Sequence, residues 1–162
     1  MQSDLELAKA GDAVVAYFYN RVRKQAKLLR RAPPPNRTRK KETLSPEEIR
    51  KKRLAQLARI KHRRKHAQHL LEGAETFLAG VRSSEDEDVV GYFRSIRSRL
   101  CVHHGMANFP DTDYAATTFY EISGECLERM SKLETLLHLR YAYPQEVERR
   151  AAKIVSGFSE GA

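Results

Sequence analysis

Apolar residues in this chain recur at helical spacing in five separate runs, and nowhere do they alternate as a strand requires. In the first run Leu7, Val14, Phe18, Val22, Ala26 and Leu29 fall on one helix face. Ser3, with Glu6 three residues on, forms a capping box that predicts the start of this helix. Gly11 and Asp12 offer a point where it could break or be re-capped. Pro33 ends it, because the residue before a proline is pushed out of the α region.

The second run is the best punctuated. Ser45 is a cap, Pro46 takes the first helical position, and Glu48 completes a capping box. Leu57, Ile60, Arg64, Ala67, Leu71, Ala74, Leu78 and Val81 then step by alternating threes and fours. That spacing predicts a long helix reaching about Val81, paired with the first helix along a coiled-coil-like seam. A third helix carries Val89, Phe93, Ile96 and Leu100, is capped by Ser84 with Glu87, and stops at Gly105. A fourth, opened by Asp111, Thr112 or Asp113, carries Phe119, Ile122, Cys126, Met130, Leu133 and Leu137. Pro144 starts a short fifth with Val147, Ala151, Ile154 and Phe158, closed around Gly157.

The expected fold is therefore all-α, a four- to five-helix bundle with a long basic helical hairpin and an extended Pro/Arg linker. Residues 1–82 make the hairpin, with the linker at 32–44, and residues 83–162 make an acidic part packing on it within one compact domain. Three prolines favour an extended backbone in the linker, and its cations have no apolar neighbour to anchor them, so it is expected to be mobile.

Charge changes the picture. The net charge of +9 divides very unevenly along the chain. Residues 21–66 hold 19 Lys/Arg and three acids, a net of +16, whereas residues 67–162 hold 10 Lys/Arg and 15 acids, a net of −5. A block this dense repels itself unless a polyanion neutralises it, which points to nucleic acid. The cations expected to grip phosphates are Arg37, Arg39, Lys40 and Lys41 in the linker. On the second helix they are Arg50, Lys51, Lys52, Arg53, Arg59, Lys61, Arg63, Arg64 and Lys65. The first helix adds a basic face of Arg21, Arg23, Lys24, Lys27, Arg30 and Arg31. Such contacts give salt-dependent binding without reading base sequence.

RNA is favoured over DNA. The chain has no recognition helix after a tight turn, no zinc finger and no basic zipper. An extended arm joined to a long basic helix suits irregular folded RNA, and in general character resembles proteins that pack inside large ribonucleoprotein particles. The expectation is a non-enzymatic RNA-binding structural subunit, with the C-terminal half meeting protein neighbours. Tyr141 and Tyr143, flanking the Pro144 turn, are the candidate protein-contact patch.

Other chemistries are thinly represented. Arg99 and His104 resemble the Arg-x4-His pattern of the helical HEPN ribonucleases, a resemblance that Arg64 and His69 share. It implies a metal-independent ribonuclease acting as a dimer, with both copies' Arg and His converging on the scissile phosphate. His62, His66 and His69 could share a helix face, but Arg63, Arg64 and Lys65 lie among them and oppose a cation, so no metal or cofactor is expected. There is no glycine-rich phosphate loop, nucleophile elbow or HExxH. Cys101 and Cys126 fit neither a redox pair nor a zinc site and are expected as free thiols on apolar faces. No run of about 18 apolar residues is present, and the N-terminus lacks the basic-then-apolar order of a secretory signal. An intracellular, reducing compartment is expected, with attachment to an anionic membrane surface as the remaining alternative.

Overall fold

The computed structural model describes residues 2–31, 45–81, 88–105 and 114–160. They form five helices: α1 (Gln2–Arg30), α2 (Pro46–Gly80), α3 (Val89–Gly105), α4 (Tyr114–Leu139) and α5 (Pro144–Glu160). No strand occurs among the described residues. Helix α1 packs against each of the other four, α2 also meets α3 and α4, and α4 also meets α3 and α5. Helices α2 and α5 both pack on α1 but do not touch each other.

The apolar stripe of α1 explains that central place. Leu7, Val14, Phe18, Val22 and Ala26 are all fully buried, and Leu29 is partly so. Phe18 meets Phe77 of α2 with ring centroids 4.3 Å apart. Such an aromatic pair is worth about 0.5–1.5 kcal/mol beyond the area it buries. Two expectations for α1 need correction. The helix already includes Gln2, so Ser3 is inside its first turn rather than capping it. The Ser3 hydroxyl is buried, with no hydrogen-bond partner among the described residues. Gly11 and Asp12 do not interrupt the helix but mark where α3 crosses it. A Cβ on Gly11 would stand 2.9 Å from Tyr92 Cε2 and 3.0 Å from Phe93 Cε1. Beside it the Tyr92 hydroxyl donates to Asp12.

Helix α2 begins as its sequence predicts, with Ser45 Oγ accepting from the Glu48 amide at 3.3 Å and Pro46 in the first turn. Its buried face is rotated from the expected seam. Ala67, Leu70, Ala74 and Phe77 are buried, whereas Leu71 is half-buried and Leu57, Arg64 and Leu78 are exposed. The sequence offers adjacent apolar pairs at 70/71 and 77/78, so two faces fit the spacing equally well. Contact with α1 and α4 selects one of them. Gly73, also on this side, lets α4 come close, since a Cβ there would stand 2.3 Å from Phe119 Cζ.

In α3, Val89, Phe93, Ile96 and Leu100 are buried as expected, joined by Tyr92 and His103. The expected cap at Ser84 and Glu87 lies outside the described residues. The cap that is described is Asp88, whose Oδ1 accepts from the Gly91 amide at 2.8 Å. The whole α4 stripe is buried, from Phe119 through Leu137, and the proposed opening residues Asp111, Thr112 and Asp113 lie outside the described set. Pro144 is the first residue of α5, and Val147, Ala151 and Phe158 are buried. Gly157 does not close α5, which continues to Glu160.

Candidate nucleic-acid interface

Helices α1 and α2 run antiparallel. Tyr19 near the middle of α1 donates to Glu75, and the last turn of α1 meets Arg63. Arg63 Nε donates to the Leu29 carbonyl at 3.1 Å and Nη2 to the Leu28 carbonyl, also at 3.1 Å. Those carbonyls belong to the end of a helix, where no further turn can satisfy them and the dipole is negative. The contact fixes the register, and everything N-terminal to Arg63 in α2 extends past the end of α1.

That extension is the distinctive feature of the molecule. Every residue from Pro46 to Arg59 is exposed, including Leu54 at 61% and Leu57 at 62%. At 1.5 Å per residue the free stretch is about 20 Å long. Its helicity has a local cause. The residues are mostly Lys, Arg, Leu, Ala, Gln and Glu, all good helix formers, and they propagate from a turn already nucleated in the packed part. Ile49, Leu54 and Leu57 fall within about 140° of the helix circumference with Arg50 and Arg53 among them, and Lys51, Lys52 and Arg59 occupy the opposite side, so cations surround the stretch.

Of the thirteen predicted phosphate-binding cations the structure places nine, in three groups. Arg50, Lys51, Lys52, Arg53 and Arg59 project from the free stretch, and no acid among the described residues forms an ion pair with them. Lys61, Arg64 and Lys65 are exposed where α1 ends, as are Lys27 and Arg30 in the last turn of α1 and Arg31 just after it. Arg63 is half-buried and committed to the α1 carbonyls, a role that no local sequence signal marks. Arg37, Arg39, Lys40 and Lys41 lie outside the described residues. Two cations of the basic α1 face are also engaged, Arg21 over the Tyr17 ring at 5.9 Å and Arg23 over that of Tyr19 at 5.2 Å.

The other candidates are also located. His62 and His66 stack with centroids 5.6 Å apart, and no group of three metal-ligating side chains occurs among the described residues. Arg99 and His104 leave α3 towards different neighbours. The Arg99 guanidinium lies over Gly80 of α2, where a Cβ would stand 2.1 Å from its Nε. His104 stacks on Tyr120 of α4 at 4.4 Å, and its Nδ1 lies 3.1 Å from Ser123 Oγ. The Ser123 hydroxyl already donates to the Phe119 carbonyl, so Nδ1 of His104 is the donor in that contact. His103 instead enters the core, 4.9 Å from the ring centroid of Phe119 and 5.5 Å from that of Phe18. Burial, with the charge of Arg99 in second place, holds its pKa below the usual histidine value. Burial also pushes the Cys126 thiol up to about 12, while Cys101, contrary to expectation, is exposed.

Tyr141 and Tyr143 are both exposed, at 68% and 61%. The Arg140 guanidinium covers one face of the Tyr141 ring at 4.3 Å. No helix among the described residues is long and apolar enough to cross a membrane. Comparison of the chain with protein-family models, with curated proteins and with solved structures gives no match.

Proposed function

We propose that this protein binds nucleic acid, RNA in preference to DNA, as a non-enzymatic structural subunit of a ribonucleoprotein assembly. In this reading the five helices form a bundle from which a basic hairpin of α1 and α2 reaches out. The cations of α2 and of the 32–44 linker neutralise phosphates, and the C-terminal half, with Tyr141 and Tyr143, meets protein neighbours. The observation that carries the reading is the free stretch of α2. A helix that is cationic on all sides and packs on nothing among the described residues spends no charge on its own fold. Each phosphate it neutralises would release counterions, so affinity should fall steeply with salt.

The test is binding to a structured RNA, a duplex DNA and anionic vesicles, each over a salt series. The reading expects RNA to bind best, with a salt slope that shrinks by about 0.7–0.9 for each phosphate contact removed. Neutralising Arg50, Lys51, Lys52 and Arg53 together should lower that slope by about 3. Binding to vesicles alone would overturn the reading. Incubating the same RNA tests the ribonuclease alternative directly, since cleavage lost in His104→Ala would assign the activity to that histidine.

A further inference from the structure

The C-terminal half is acidic overall, yet it gathers four of its ten cations on one groove. The groove, about 490 Å³ in volume, lies between α4 and α5. Arg129 and Lys132 of α4 face Arg150 and Lys153 of α5 over Leu136 and Ile154. No acid is among the described residues that line it.

The four cations are not equally free. Arg150 is bound 2.8 Å from Glu146, which also takes Arg149 at 2.6 Å. Lys132 and Lys153 are exposed, with no ion-pair partner among the described residues. Arg129 is held in place by rings, its guanidinium 4.0 Å from the Phe158 centroid and 5.2 Å from that of Tyr17. Its Nη1 is buried and has no acceptor among the described residues. A fixed guanidinium short of an acceptor, beside two free ammonium groups, suits a doubly charged oxyanion. The groove does not end there. Leu136 and Arg150 also line a neighbouring cavity of about 320 Å³, whose other walls include Leu139, Tyr143 and Val147. That cavity is also walled by Glu146, which holds Arg150. One end of the groove is therefore cationic and the other apolar and aromatic around this ion pair, within the range of volumes that small ligands occupy.

We propose that the α4–α5 groove binds an organic phosphate. The phosphate sits among Arg129, Lys132 and Lys153, and its apolar body lies over Leu136 towards Tyr143. This site is independent of RNA binding by α2, which does not touch α5.

Calorimetric titration of the full chain with phenyl phosphate, inorganic phosphate and phenol tests both ends of the groove. Phenyl phosphate should bind at least about tenfold more tightly than either of the others. Lys132→Glu with Lys153→Glu should weaken it by at least about tenfold, and the milder Lys132→Gln with Lys153→Gln by less. Circular dichroism checks that both variants are folded. Arg50→Glu with Lys52→Glu should leave phenyl phosphate binding unchanged while lowering RNA affinity. The proposal is overturned if phenyl phosphate fails to bind at millimolar concentration, or if inorganic phosphate binds as well. It is equally overturned if the lysine variants bind phenyl phosphate unchanged, or if they lose RNA alone.

Discussion

Arg63 closes the C-terminus of α1 by donating to Leu29, so one residue of the basic run serves the fold while its neighbours point to solvent. The neighbouring cation Arg64 is exposed. The two arginines are adjacent in sequence and about 100° apart around the helix, and this alone separates their roles.

Arg63→Ala should therefore lower stability by about 1–2 kcal/mol, since two helix-end carbonyls lose a charged donor. Arg64→Ala should change stability by no more than about 0.5 kcal/mol and should weaken RNA binding instead. Denaturant unfolding and RNA titration on the two variants measure both effects. Arg63→Lys should recover only part of the loss, because an ammonium lacks the fork that reaches both carbonyls.

Glycine at position 73 is a packing requirement. Gly73→Ala would drive a methyl group into the buried ring of Phe119 and should cost about 1–3 kcal/mol despite alanine's better helix propensity. A Cβ on Gly157 would meet nothing within 4 Å beyond its own turn of α5 among the described residues, so Gly157→Ala should stabilise α5 by up to about 1 kcal/mol. Thermal melts of the two variants should shift in opposite directions.

His103 makes the fold sensitive to acid. Its folded pKa lies below the ordinary 6.5 because it is buried among aromatic rings. As pH falls through 6.5 the unfolded chain takes up the proton before the native protein does, so stability is lost with falling pH and is intact above that value. His103→Leu should flatten this part of the profile between about pH 7 and pH 5. An unchanged slope in denaturant midpoints across that range would remove His103 as its source.

The free stretch of α2 should exchange its amide protons far faster than the packed turns containing Leu70 and Phe77. Within α2, limited trypsin should cut first near Arg50, Lys51, Lys52 and Arg53. Bound RNA should slow both processes in this stretch. If RNA instead protects α4 and α5 while leaving Pro46–Arg59 unchanged, the interface has been placed on the wrong helix.

The two thiols should differ sharply. Cys101 is exposed, whereas Cys126 is buried with its pKa pushed up to about 12. A thiol-specific reagent should modify one equivalent in the native protein and two after unfolding, counted by mass spectrometry. Cys126→Ser should cost stability, because it places a hydroxyl on the buried face of α4 between Ile122 and Met130.

How much of this was legible beforehand depends on whether a feature is local. The five helices follow from periodicity, from Ser45-Pro46-Glu47-Glu48 and from Pro144, signals that act within a few residues. The stripes of α1, α3 and α4 were readable because each offers one apolar face. In α2 the apolar residues at 70 and 71, and again at 77 and 78, left two faces open. No composition signal distinguishes Arg63 from Arg64, and the α4–α5 groove joins Arg129 and Lys132 to cations about twenty residues away in the chain.

The sequence by itself determined that this chain is helical and that its positive charge is concentrated in residues 21–66, because helix periodicity, caps and charge are properties of neighbouring residues. The tertiary structure decided which face of α2 is buried, that Gly11 and Gly73 are crossing points, and that Arg63 caps α1. It also decided that the first turns of α2 stand clear of the other described helices. Those outcomes depend on which surfaces meet, and close packing between helices admits only one rotation of each about its axis.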